Sequence, residues 1–143
     1  MQDTLEMCGE LEIILTRADG TEQRGRHKNL IVQTGHNFVA SAILAAQTPA
    51  FGYCGIGTGT TAPAAGDTQL QTQVARLAFT NSSASANVVS ISTTFPAGAG
   101  TGAITEAGLF TASSGGTMFS RTTFAAYNKG AGDVLTINWT ITA

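Results

Sequence analysis

Near the C-terminus, Leu135, Ile137, Trp139 and Ile141 alternate with Thr136, Asn138, Thr140 and Thr142. Successive side chains of an extended strand point to opposite faces, so this period of two buries one row and leaves hydroxyl and amide groups on the other. A helix would scatter both rows around its surface. The alternation recurs at Val89, Ile91, Thr93 and Phe95 against Ser90, Ser92 and Thr94, and at Ala75, Leu77 and Phe79 against Arg76, Ala78 and Thr80. Leu11, Ile13 and Leu15 begin another strand, which Ala18-Asp19-Gly20-Thr21 turns back into a hairpin partner over residues 22–32. Shorter candidates cover residues 51–56, 106–111 and 117–124, giving about eight strands. Turn-rich stretches at 57–67, 81–87, 96–102, 113–116 and 128–132 separate them, the spacing of an antiparallel sandwich or barrel. One segment differs. Thr34 can cap a helix over residues 35–47, where Phe38, Ala42 and Ala45 share a face with Val39, Ile43 and Ala46, and Pro49 stops it. The expectation is one all-β domain over residues 1–143, with residues 1–10 as an N-terminal arm.

The charges are unevenly placed. They make up 11% of the chain, against roughly 25% in an ordinary domain. Ten of the sixteen lie in the first 28 positions, and the remaining 115 hold Asp67, Arg76, Glu106, Arg121, Lys129 and Asp133 alone. Ala, Gly, Ser and Thr fill 70 of the 143 positions, so the body is polar without being charged. Surface charge keeps soluble proteins apart, and a body with so little of it is expected to be covered in its working state. No apolar run reaches membrane-spanning length. A net charge of -2 gives no reason to expect nucleic-acid binding. Met1-Gln2-Asp3-Thr4-Leu5-Glu6 is acidic and lacks the apolar stretch of a secretory signal, so a reducing compartment and free thiols are expected for Cys8 and Cys54.

Little in the chain suggests catalysis. Gly55-Ile56-Gly57-Thr58-Gly59-Thr60 resembles a phosphate-binding loop, but Thr60 stands where the dinucleotide fingerprint needs glycine, and Thr61-Ala62-Pro63 follows instead of a helix. It reads as a flexible loop leaving a strand. His27 and His36 have no companion in a metal spacing, and no serine sits in a Gly-x-Ser-x-Gly elbow. No enzyme activity, cofactor or metal is expected. The sequons at Asn81 and Asn138 carry no meaning without export.

Two groups of residues stand out. Glu22, Arg24, Arg26 and Lys28 fall on one side of a strand by the period of two, a candidate surface for docking onto an acidic partner. Glu106 is isolated among apolar residues in Ile104-Thr105-Glu106-Ala107-Gly108-Leu109-Phe110. A buried carboxylate needs a partner, and Arg121 or Arg76 could supply one as a structural ion pair.

Four pieces of the chain resemble small virion proteins of tailed bacteriophages. They are Asn29-Leu30-Ile31-Val32-Gln33-Thr34-Gly35, and Ile56-Gly57-Thr58-Gly59-Thr60-Thr61-Ala62-Pro63-Ala64-Ala65-Gly66-Asp67-Thr68. The third is Glu106-Ala107-Gly108-Leu109-Phe110 with Met118-Phe119-Ser120-Arg121-Thr122, and the fourth runs Lys129-Gly130-Ala131-Gly132-Asp133-Val134-Leu135-Thr136-Ile137-Asn138-Trp139. The chain looks most like a capsid decoration, or cement, protein. That resemblance implies an antiparallel jelly-roll-like sandwich of about eight strands with one short helix, and no catalytic residues. It also implies self-association on the capsid exterior after assembly in the host cytoplasm, with the phage major capsid protein as partner and neither nucleic acid nor membrane. General frequency favours a homodimer over a homotrimer. Similar pieces occur in tail-fibre and receptor-binding modules that recognise a host surface, which is the alternative.

Overall fold

The computed structural model describes residues 7–43 and 50–143. In chain order the elements are β1 (Cys8–Thr16), β2 (Glu22–Lys28), β3 (Leu30–Ile31), α1 (Gln33–Ile43), β4 (Tyr53–Gly57), β5 (Gln73–Ala78), β6 (Asn81–Ser85), β7 (Val88–Phe95), β8 (Gly102–Phe110), β9 (Met118–Lys129) and β10 (Val134–Thr142). Among the described residues they form an all-β sandwich of two antiparallel five-stranded sheets with one short helix. The front sheet has the order β2-β1-β10-β7-β6 and the back sheet β3-β9-β8-β4-β5. First and last strands of the fold pair along their whole length, from Cys8 opposite Thr142 to Thr16 opposite Val134. The chain crosses between the sheets after β2, β5, β7 and β9, whereas β1–β2, β4–β5, β6–β7 and β8–β9 are hairpins within one sheet.

The core lies between the sheets. Leu11, Ile13, Leu15, Ile91, Phe95, Leu135, Ile137 and Trp139 from the front meet Cys54, Ile56, Ile104, Ala107, Leu109, Phe119 and Tyr127 from the back. Every front-sheet residue in this set belongs to the apolar row of a period-two strand, so burial of that row accounts for the register.

Four expectations change. The described residues form ten strands instead of about eight, and β6 occupies a stretch read as turn. Residues 22–32 do not make one strand: Asn29 carries the chain from β2 in the front sheet to β3 in the back. The arm expected over residues 1–10 is strand from Cys8 onward, and its earlier part lies outside the described residues. The helix begins at Gln33, and the Val32 carbonyl accepts the amides of Gly35 and His36. Thr34 is therefore inside the first turn, and its hydroxyl donates to the Met118 carbonyl rather than capping. The expected end of the helix at residue 47 lies outside the described residues.

Candidate functional site

A bulge in β8 sets up the most unusual feature of the interior. The pairing with β9 shifts between Ile104 and Glu106, so Ile104, Ala107 and Leu109 face the core while Glu106, Gly108 and Phe110 face the outer side of the back sheet. Glu106 is fully buried there, beneath residues 58–72 of the β4–β5 loop. Its Oε2 accepts the backbone amides of Gly59 at 2.8 Å and Thr72 at 2.7 Å. Its Oε1 accepts the Gln71 amide at 2.8 Å and Arg121 Nε at 3.0 Å. All four partners are donors, the complement that an acceptor-only carboxylate needs.

Arg121, only 2% exposed, extends the network by donating from Nη1 to Asp67 Oδ2 at 3.0 Å. Asp67 in turn accepts the Ala64 amide, and the Ala65 carbonyl accepts the Gln33 amide at the start of α1. The loop that looked like a phosphate cradle is thus wrapped around the protein's own carboxylate. Its glycines are dictated by that contact: a Cβ on Gly59 would lie 2.4 Å from Glu106 Oε2, and one on Gly57 would lie 2.3 Å from the Thr72 carbonyl oxygen. Leu70 completes the cover, packing over the paired glycines Gly55 and Gly108. Expected flexibility gives way to a loop pinned at both ends.

Arg76 has a different place. It meets no carboxylate among the described residues. Its guanidinium stacks 3.5 Å from the centroid of Phe110 and donates to the carbonyls of Ala112 and Gly115, tying down the β8–β9 turn. Burial lowers its pKa from the ordinary value. The sequence offered no sign that Lys129 would be buried, yet it is 2% exposed and donates from Nζ to the Pro96 carbonyl at 3.0 Å. Desolvation pulls its pKa down, and Asp133 opposes that. Asp133 itself accepts the amides of Ala18 and Gly130. All six charges beyond residue 28 therefore serve internal contacts.

With the back sheet covered by its loop, the open face is the outer side of the front sheet. Glu22, Arg24, Arg26 and Lys28 all lie on it, on the exposed row of β2. The register then adds what the single strand could not reveal: Glu10 sits opposite Lys28 and Glu12 opposite Arg26. Arg26 reaches Glu10 at 3.1 Å and Arg24 reaches Glu22 at 2.8 Å, with all four side chains at least 41% exposed. This half of the face is a balanced mosaic of three cations and three carboxylates, not a basic patch. Such exposed pairs are worth about 0–1 kcal/mol and exchange partners readily. No protein-family model, curated protein or solved structure matches the chain.

The other half of the face carries no charge. Rows run across it from Asn138 to Ser92 to Asn81, and from Thr140 to Ser90 to Ser83. They line a shallow groove of about 450 Å³. Trp139 is 1% exposed on the core side, so the groove has no exposed aromatic platform of the kind that stacks on sugars. Beneath β2, His27 faces inward and hydrogen-bonds the Tyr127 hydroxyl at 2.9 Å, with Phe124 5.1 Å away ring to ring. Burial lowers the pKa of His27 and raises that of Tyr127. No group of three or more metal-ligating side chains comes together among the described residues.

Proposed function

We propose that the chain is a non-enzymatic capsid decoration protein of a tailed bacteriophage. In this reading it lies on the capsid exterior and binds across neighbouring copies of the major capsid protein with the outer face of its front sheet. The observation that carries it is the division of the molecule's charge. Beyond residue 28 every charge is engaged internally, whereas β1 and β2 present an ordered mosaic of opposite charges on the open face. A mosaic of that kind fixes orientation on a partner of complementary pattern more than it adds affinity. The four pieces that resemble phage virion proteins support the same reading, because two of them supply Glu106, Arg121, Asp67 and the glycines of the pinned loop.

The mechanism is linkage. A capsid under internal pressure opens where subunits separate, and a clamp that binds only the closed arrangement raises the cost of opening. At about 100 times its dissociation constant such a ligand adds about 2.7 kcal/mol per site, repeated over a symmetric shell. The test is co-sedimentation of the purified chain with phage heads lacking it and, in parallel, with intact host cells. Saturable pelleting with heads, abolished when Arg24, Arg26 and Lys28 are changed together to serine, supports the reading. Pelleting with cells alone refutes it in favour of a receptor-binding module, with the uncharged groove as the site.

A further inference from the structure

The two edges of the front sheet differ. On β2, four of seven residues are charged, a common guard against unwanted strand pairing. On β6, the sequence Asn81-Ser82-Ser83-Ala84-Ser85 has no charge and no proline, and all five residues are exposed. Its pairing with β7 is unbroken, from Asn81 opposite Ser92 to Ser85 opposite Val88. The connecting loop has two residues, Ala86 and Asn87, with Ala86 at a φ of 52°. A two-residue hairpin makes its closing pair, Ser85 and Val88, a hydrogen-bonded one, and bonding alternates from there. The N–H and C=O groups of Ser83 therefore point to β7, and those of Ser82 and Ala84 point out from an edge that no other strand among the described residues pairs with.

We propose that this edge is a self-association site. Here β6 pairs antiparallel with β6 of a second copy about a two-fold axis at Ser83, joining two front sheets into one. The register follows from the free groups. Ser82 of each copy exchanges both its hydrogen bonds with Ala84 of the other, four bonds in all, while Ser83 meets Ser83 across the axis as a non-bonded pair. Paired residues share a face, so the core sides of both sheets stay on the same side.

The space beneath the edge argues for a strand as the occupant. An apolar cleft of about 560 Å³ opens between the sheets under β6, bounded by Met7, Phe38, Phe51, Phe79, Phe119 and Ala84. Ser82 and Ala84 form its roof at the margin. A second β6 would extend that roof with a small apolar side chain, Ala84 of the partner copy, and would bring no charge over the cleft. The surface has just the property a self-complementary contact requires: nothing on it repels its own image. This contact is one part of the cement reading above, and rests on it for its purpose. Its geometry needs the purified chain alone.

The experiment measures mass in solution by light scattering, using the full chain without heads. The wild-type chain is expected at twice 14.6 kDa. Ser83→Lys sets two like charges face to face at the axis and should give the single-chain mass with unchanged circular dichroism. In a Cys8→Ser background, Ser83→Cys should oxidise to a disulfide-linked dimer, while Ser92→Cys, on the same face but one strand in, should not. A wild-type chain of single mass at its highest soluble concentration overturns the proposal. So does a dimer that survives Ser83→Lys, or one in which Ser92→Cys cross-links as fast as Ser83→Cys. Failure here with head binding intact refutes the edge and leaves the capsid reading standing; the reverse pattern refutes only the latter.

Discussion

Replacing Glu106 by glutamine tests whether one carboxylate holds the outer layer of the back sheet. The change keeps size and shape and converts one acceptor oxygen into a donor amide. Whichever way that amide turns, it faces two of the four donors: Gly59 and Thr72 amides on one side, or the Gln71 amide and Arg121 on the other. Two buried donors left unsatisfied cost about 1–3 kcal/mol each. Breaking a buried ion pair by removing one partner costs about 3–5 kcal/mol. The two figures describe overlapping losses, so the expected destabilisation is about 3–5 kcal/mol, a large part of the roughly 5–15 kcal/mol of a typical domain. Urea unfolding reports it directly, because Trp139, the single tryptophan, is buried and serves as the fluorescent probe. Hydrogen exchange locates the loss: the amides of Gly59, Gln71 and Thr72 should lose protection before the core strands do. Arg121→Met should cost less, since Glu106 keeps its three amides, and the double variant should cost less than the sum. A Glu106→Gln chain within about 1 kcal/mol of wild type, or one that retains protection at those three amides, would show that the loop is held by something else.

Stability should fall on mild acidification through His27. Its folded-state pKa lies below 6.5, so the unfolded chain takes up a proton first; the contribution is complete above 6.5 and is lost as pH drops through the folded value. Urea midpoints measured across that window should decline, and His27→Gln should remove most of the slope. The thiols should differ sharply, because Cys54 is buried with its pKa pushed up to about 12 while Cys8 is exposed. A thiol reagent should label one cysteine per native chain and both in denaturant, and native labelling of Cys54 would contradict the core described above.

How much could be read in advance follows from how each element is stabilised. β1, β7 and β10 were legible because each has one face in the core and one in water, which writes a period of two into the sequence. β6 was not, because both of its faces are exposed and only main-chain pairing makes it a strand. The break at Asn29 was hidden for the opposite reason: residues on both sides favour extended structure, and only the three-dimensional path decides which sheet each side joins. At Glu106 the need for a partner was legible, and Arg121 is that partner. The three amides were not, since a backbone donor leaves no mark in a sequence. The repeated glycines of the β4–β5 loop were the available signal, and they reflect close approach to the carboxylate rather than to a ligand. On the docking face, the cations of β2 were visible from alternation, and the acids opposing them depended on the register with β1.

The charge on β2 has a second consequence, which joins the two halves of the front sheet. If both edges were bare, β6 of one copy could pair with β2 of the next, leaving a free edge at each end. Such head-to-tail contacts do not close, and they grow into filaments. Charges along β2 penalise that pairing, because the uncharged β6 offers nothing to compensate for their lost hydration. Pairing of β6 with its own image uses up both bare edges and stops at two copies. Changing Glu22, Arg24, Arg26 and Lys28 together to serine takes the net charge only from -2 to -4 and removes the guard. Light scattering of that variant should rise with time and concentration beyond the dimer, and adding Ser83→Lys should suppress the growth. If the serine variant stays at a fixed mass, then β2 is protected by its inward contacts, His27 on Tyr127 above all, and its charges serve the partner surface alone.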